Sequence, residues 1–178
     1  MKYKKGRSKI YLVFFFIFYV YLLFVIKYTI FPIPLDMGDI FILESRFFYN
    51  TNFILFGDLT FKSLFKSQVL LNILLSMPFG FGISFIMRIN RKKLINLAIL
   101  FGVFIESLQL IISLFLGFLY RVVDINDVFF NFVGVILGYI IFKIFSILYI
   151  RLIKDSKLKN IGIFKYVYRV VQNEFGQI

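Results

Sequence analysis

Cysteine and histidine are absent from the 178 residues, and proline occurs only three times. Without cysteine there is no disulfide and no thiol chemistry. Without histidine the commonest general base and the commonest transition-metal ligand are missing. A histidine-based catalytic triad and a zinc site are thereby excluded. Any chemistry has to use carboxylates, Arg, Lys, Tyr, Ser or a hard cation. Acid is also scarce: nine Asp and Glu stand against 21 Lys and Arg, for a net charge of +12.

What is present is apolar. Hydrophobic residues make up 61% of the chain, aromatics 21%, and the mean hydropathy is +0.90. That exceeds the apolar share of soluble domains. The polar residues are gathered into blocks between long apolar runs, so the class is a polytopic all-α membrane protein. Residues 1–178 form a single membrane domain. The abundance of Phe, Ile, Lys and Asn fits AT-biased codon usage, as in a low-GC bacterium.

Four spans are expected, at about 10–26, 69–87, 94–119 and 128–150. Residues 1–9 carry five basic residues and no acid, and Ile10–Ile26 follows without interruption. No small-residue cleavage pattern comes after it, so the first span is read as uncleaved. Pro32 and Pro34 stop that helix. Residues 27–67 form the longest connection, with balanced charge, and the aromatic-rich part from Phe41 to Phe65 is expected at the outer interface. Pro78 and Gly80 inside the second span predict a kink and close helix contact. Residues 151–178 form a basic tail. In it Phe164, Tyr168, Val171 and Phe175 share one helical stripe and Lys165, Arg169 and Gln172 another, as in an amphipathic helix on the inner leaflet.

The three segments assigned to the cytoplasm hold fifteen basic residues and two acids, and the two outer loops hold five basic residues and six acids. The positive-inside rule then sets both termini inside. It also explains the net charge: the basic residues face anionic headgroups, and no nucleic acid is called for.

The stretch Arg121–Gly138 breaks the pattern of a simple anchor. Asp124, Asp127 and Asn131 are spaced i, i+3, i+7 and fall on one helical face. Gly134 and Gly138 continue as a small-xxx-small pair, which lets another helix approach. Glu106 lies roughly 18 Å along the third span, near mid-bilayer, with Gln109 on the same face. Asn72 sits one turn inside the second span. A charge at such depth costs about 2.5–3.5 kcal/mol on insertion scales, so Glu106 is expected to face the bundle interior, protonated or paired with Arg121 or an amide. Asn72, Glu106, Gln109, Arg121, Asp124, Asp127 and Asn131 are therefore the expected pocket. The plainer reading makes Asp124 or Asp127 a helix cap and Gly134, Gly138, Pro78 and Gly80 packing or kink positions.

At these residues the sequence resembles the VanZ-like family, small membrane proteins named for a teicoplanin-resistance protein. The ordered motifs are Asn72 with Pro78-Phe79-Gly80, then Glu106-Ser107-Leu108-Gln109. Arg121-Val122-Val123-Asp124-Ile125-Asn126-Asp127-Val128 follows, and then Asn131-Phe132-Val133-Gly134 and Gly138. They cover about residues 50–140. The family's Asn-Leu-x-Pro-Phe element has its nearest match in Asn52–Phe56, which lacks the proline. The resemblance implies a bacterial plasma-membrane location and a link to glycopeptide or envelope physiology.

The expected function is binding of an amphiphile, a lipoglycopeptide or a lipid-linked precursor, in an outer-facing polar pocket. Arg121 suits a phosphate or carboxylate. No cofactor is expected and no metal assigned. A Mg²⁺-dependent enzyme on a lipid diphosphate is the first alternative, with Glu106, Asp124 and Asp127 as weak candidate ligands. A proton-coupled transporter using Glu106 and a structural scaffold are the others.

Overall fold

The computed structural model describes residues 9–33, 51–57 and 67–175, except the side chains of Glu174 and Phe175. The expectations for residues 1–8, 34–50, 58–66 and 176–178 lie outside the described residues.

Four helices are long and apolar enough to cross a membrane: α1 (Lys9–Ile30), α2 (Ser67–Ile86), α3 (Arg91–Leu116) and α4 (Ile125–Ile153). A 3-10 turn at Lys157–Asn160 leads into α5 (Gly162–Phe175). The chain is a multi-pass membrane protein. At ~1.5 Å per residue even the shortest of the four, α2, measures about 30 Å, the thickness of a bilayer core.

The span boundaries differ from the expected ones by up to four residues, and local chemistry explains the differences. α1 continues through Lys27 to Ile30, just short of Pro32, whose missing N–H cannot extend it. Asn90 caps α3, its side chain accepting from the Lys93 N–H at 2.8 Å. α3 ends at Leu116, not Leu119, because Gly117 turns left-handed at φ 79° and its N–H bonds back to the Leu114 carbonyl at 3.3 Å. α4 begins three residues early because Asp124 caps it. α2 runs through Pro78 without a break in its helical assignment.

α2 and α4 share the most extensive interface, with α3 packed on α4 and α1 lying more loosely against α2 and α3. Glycine makes the α2–α4 contact. A methyl on Gly80 would sit 1.9 Å from the Val135 carbonyl oxygen, and one on Gly138 would sit 1.9 Å from that of Met77. A methyl on Gly134 would stand 2.4 Å from the Ile73 carbonyl oxygen. These are backbone-to-backbone approaches that no other residue permits. Phe79, Ile83, Ala98, Phe101, Ile105 and Val135 fill the core beside this seam, with the Phe79 and Phe101 rings 4.5 Å apart.

The apolar face α5 turns inward is Val167 and Val171, packed against Phe85 and Phe142. Phe164, on the expected stripe, stays exposed. The helix thus docks on the end of the bundle. The Tyr166 hydroxyl donates to the Phe85 carbonyl, one of the last α2 carbonyls left without a helical partner. Arg88 meets Asn173 at 3.4 Å at the same end. This end gathers Arg88, Arg91, Lys92 and Lys93 with the basic residues of α5. The opposite end holds Asp124 and Asp127, and a parallel two-residue ladder not expected from the sequence: β1 (Thr51–Asn52) pairs with β2 (Val123–Asp124).

Candidate functional site

The acidic end is built around Asp124. Its backbone is extended, at φ −130° and ψ 122°, so it stands before α4 and not on its face. Asp127 and Asn131, one turn apart, share the buried face of α4 without it. The Asp124 Oδ1 accepts from the Asn126 N–H at 2.8 Å, the Asn126 Nδ2 at 2.9 Å and the Asn52 Nδ2 at 3.2 Å. Asn52 in turn accepts from the Ile54 N–H at 3.0 Å, and Asn126 Oδ1 accepts from the Phe56 N–H at 2.9 Å. Residues 51–57 are thereby latched onto the start of α4. Phe56 completes the tight turn at φ 64° and sets its ring edge-on to Phe129 at 4.8 Å.

Glu106 is buried, at 7% exposure, and faces the bundle interior. Its partner is the Asp124 backbone N–H, which donates to Oε2 at 3.2 Å. Arg121 is not that partner. Its guanidinium donates to the Phe31 carbonyl at 2.8 Å and more weakly to that of Tyr28 at 3.5 Å. Gln109 donates to the Thr29 carbonyl at 3.0 Å. These two residues therefore satisfy the orphan carbonyls where α1 ends, and Arg121 sets a positive charge at the negative pole of that helix. Burial pushes the neighbouring Tyr120 phenol up, and the Arg121 charge acts against that.

Asp127 accepts from Gln68 Nε2 at 2.9 Å. Asn72 stands beside it, although its Nδ2 finds no partner in bonding geometry. Asn131 is 1% exposed, and its Oδ1 is also unpartnered.

These groups border a cleft of about 640 Å³ between the C-terminal end of α1, the first turns of α2, and the Arg121–Val122 segment. Asn72, Gln109, Arg121 and Asp127 line it; Glu106, Asp124 and Asn131 do not. Leu71, Leu74 and Leu75 supply an apolar wall. Leu71 and Leu74 are 61% and 60% exposed, so that wall opens sideways to the surroundings of the bundle. The volume falls in the range of ordinary ligand sites.

The three carboxylates do not converge as a ligand set. Each meets an N–H donor, and among the described residues no group of three or more His, Cys, Asp and Glu stands where it could hold a metal ion. Gly80, Gly134 and Gly138 sit on the α2–α4 seam, away from the cleft.

Four residues of this end have no site role in the sequence reading, although Asn126 and Asn52 fall within its motif stretches. Gln68 lies one helical turn before Asn72 on α2, and that spacing was the available signal. Asn126 lies between the two aspartates. Asn52 opens the element that lacks the family's proline, and its link to Asp124 spans 72 positions. Thr29 takes part through its carbonyl, which no sequence pattern reveals.

The family model described as VanZ/LLP1 matches residues 18–146, a longer stretch than the motifs covered. Neither the search of curated proteins nor that of solved structures found a match.

Proposed function

This chain belongs to the VanZ/LLP1 family, and we propose that its cleft binds the head group of an amphiphile whose tail lies along α2. The observation that carries this is the composition of the walls. Gln68, Asn72, Gln109, Arg121 and Asp127 form a polar side, and Leu71 and Leu74 form an apolar side open to where lipid would be. A soluble ligand has no use for the second, and a purely apolar one has none for the first.

The basic end, with Arg88, Arg91, Lys92, Lys93 and α5, belongs in the cytoplasm by the positive-inside rule. The cleft then faces outward across a bacterial plasma membrane. A lipoglycopeptide of the teicoplanin kind or a lipid-linked envelope precursor has the required shape. Capture of such a molecule would lower teicoplanin susceptibility.

The test compares teicoplanin and vancomycin susceptibility in a low-GC Gram-positive host, with membrane levels matched by immunoblot. The strains carry wild type, Leu71→Trp, Lys92→Ala or empty vector. Leu71→Trp fills the cleft from its apolar side and removes no hydrogen bond. Wild type and Lys92→Ala should show reduced teicoplanin susceptibility, and Leu71→Trp should match the vector. Equality of wild type and vector removes the resistance role. Equality of wild type and Leu71→Trp removes the cleft from it.

A further inference from the structure

The cleft has two charged poles that do not neutralise each other. Arg121 and Asp127 both line it. Arg121 directs its hydrogen bonds to the carbonyls of Phe31 and Tyr28, and Asp127 accepts from Gln68. Among the described residues no ion pair joins the two, and neither side chain is bonded to an opposite charge. The lining between them is neutral: Tyr28, Thr29, Gln109, Asn72 and leucines.

Glu106 and Asp124 stand behind Asp127, near enough for their charges to interact. Gln68 donates to Asp127 Oδ2, and a positive group in the cleft would favour the ionised carboxylate. A carboxylate at 7% exposure with one amide donor and no cation beside it among the described residues is a place where a positive group is favoured. Lys27 does not supply it, for its ammonium lies over the Tyr28 ring at 5.8 Å and is absent from the lining. At the other pole Arg121 retains donors beyond the Nη2 that holds the α1 carbonyls.

We infer that the head group this cleft takes is zwitterionic, an ammonium set against Asp127 and a phosphate or carboxylate set against Arg121. This rests on the proposed binding of an amphiphile and refines it. An anion alone satisfies Arg121 and leaves Asp127 uncompensated; an ammonium alone does the reverse. One molecule carrying both neutralises the two poles without asking the protein to bring them together.

The full-length chain, purified in detergent, is titrated with three short-chain amphiphiles by native mass spectrometry. Dioctanoyl phosphatidylethanolamine carries both charges, dioctanoyl phosphatidylglycerol the anion alone, and dioctylamine the ammonium alone. Glycerophosphoethanolamine supplies the head group without tails. The double-charged lipid should bind about tenfold more tightly than either single-charged one, a difference of about 1.4 kcal/mol. Asp127→Asn should bring it down to the level of phosphatidylglycerol, and Leu71→Trp should abolish it. The tail-less head group should compete far more weakly.

Phosphatidylglycerol binding as tightly as phosphatidylethanolamine, in a manner blocked by Leu71→Trp, overturns the zwitterion inference and leaves the amphiphile reading intact. Absence of binding by any of the three, binding indifferent to Leu71→Trp, or equal competition by the tail-less head group overturns the amphiphile reading itself. Should Asp127→Asn not fold, the ranking of the three ligands on wild type decides the matter alone.

Discussion

Gly138→Ala places one carbon 1.9 Å from the Met77 carbonyl oxygen, where ordinary contact begins at 3.4 Å. The obstacle is backbone, so no rotamer change relieves it. α2 and α4 have to separate locally by about 1.5 Å. That motion also opens the Gly80–Val135 and Gly134–Ile73 approaches on the same seam. Each atom pair contributes ~0.1–0.2 kcal/mol and loses a quarter to a half of it over a gap of 0.5–1 Å. Several tens of pairs along the seam then lose about 3 kcal/mol, at the top of the usual overpacking range. Replacing glycine by alanine inside a helix restores about 1 kcal/mol, so the net destabilisation is about 2 kcal/mol.

Valine at the same position gains less propensity and is larger, and should cost more than 3 kcal/mol. Gly117 is the control. A methyl there meets nothing within 4 Å, and its cost comes only from the left-handed φ of 79°, about 1 kcal/mol whatever the size of the side chain. The assay is thermal unfolding in detergent of wild type, Gly138→Ala, Gly138→Val and Gly117→Ala. Because the chain has no cysteine, spin labels can be placed on exposed Leu74 of α2 and Ile141 of α4 to follow the separation. A Gly138→Ala variant no less stable than Gly117→Ala, with the label distance unchanged, refutes the seam.

Two further outcomes follow from the bonding at each end of the bundle. Asp124→Ala strands the Asn126 N–H and both amide groups that Oδ1 now receives, so it should cost about 1–3 kcal/mol and expose residues 51–57 to proteolysis; Asp124→Asn, which keeps an acceptor oxygen, should retain most of the protection. Burial pushes the Tyr166 phenol up to about 12. The folded form therefore holds its proton more tightly than the undocked form, whose ordinary value is 10.0. Docking of α5 should be constant below about pH 9 and weaken as pH rises from 10 towards 12. Trypsin cleavage at Lys165 and Arg169 reports it, and a Tyr166→Phe variant should show no such rise.

Sequence alone determined that this chain carries four runs long and apolar enough to cross a membrane and that its basic residues fall in blocks between them. Both follow from the order of residues: apolar runs of bilayer length and blocks of lysine and arginine are one-dimensional facts. It also marked the glycines of the seam and the set of polar residues at one end, because their spacing follows the helical period. Tertiary structure decided what those polar residues do. Arg121 and Gln109 look like ligand-binding groups in the sequence, and they close the end of α1 from about 80 to 90 residues away. Glu106 has an unsatisfied charge on paper, and its partner is a backbone N–H that exists only because β2 is extended at that point. Asn52 and Asn126 acquire a role only when residues 51–57 fold back onto α4. Local pattern cannot fix such contacts, since a hydrogen bond depends on where two backbones meet, and that is set here by glycine-mediated helix packing.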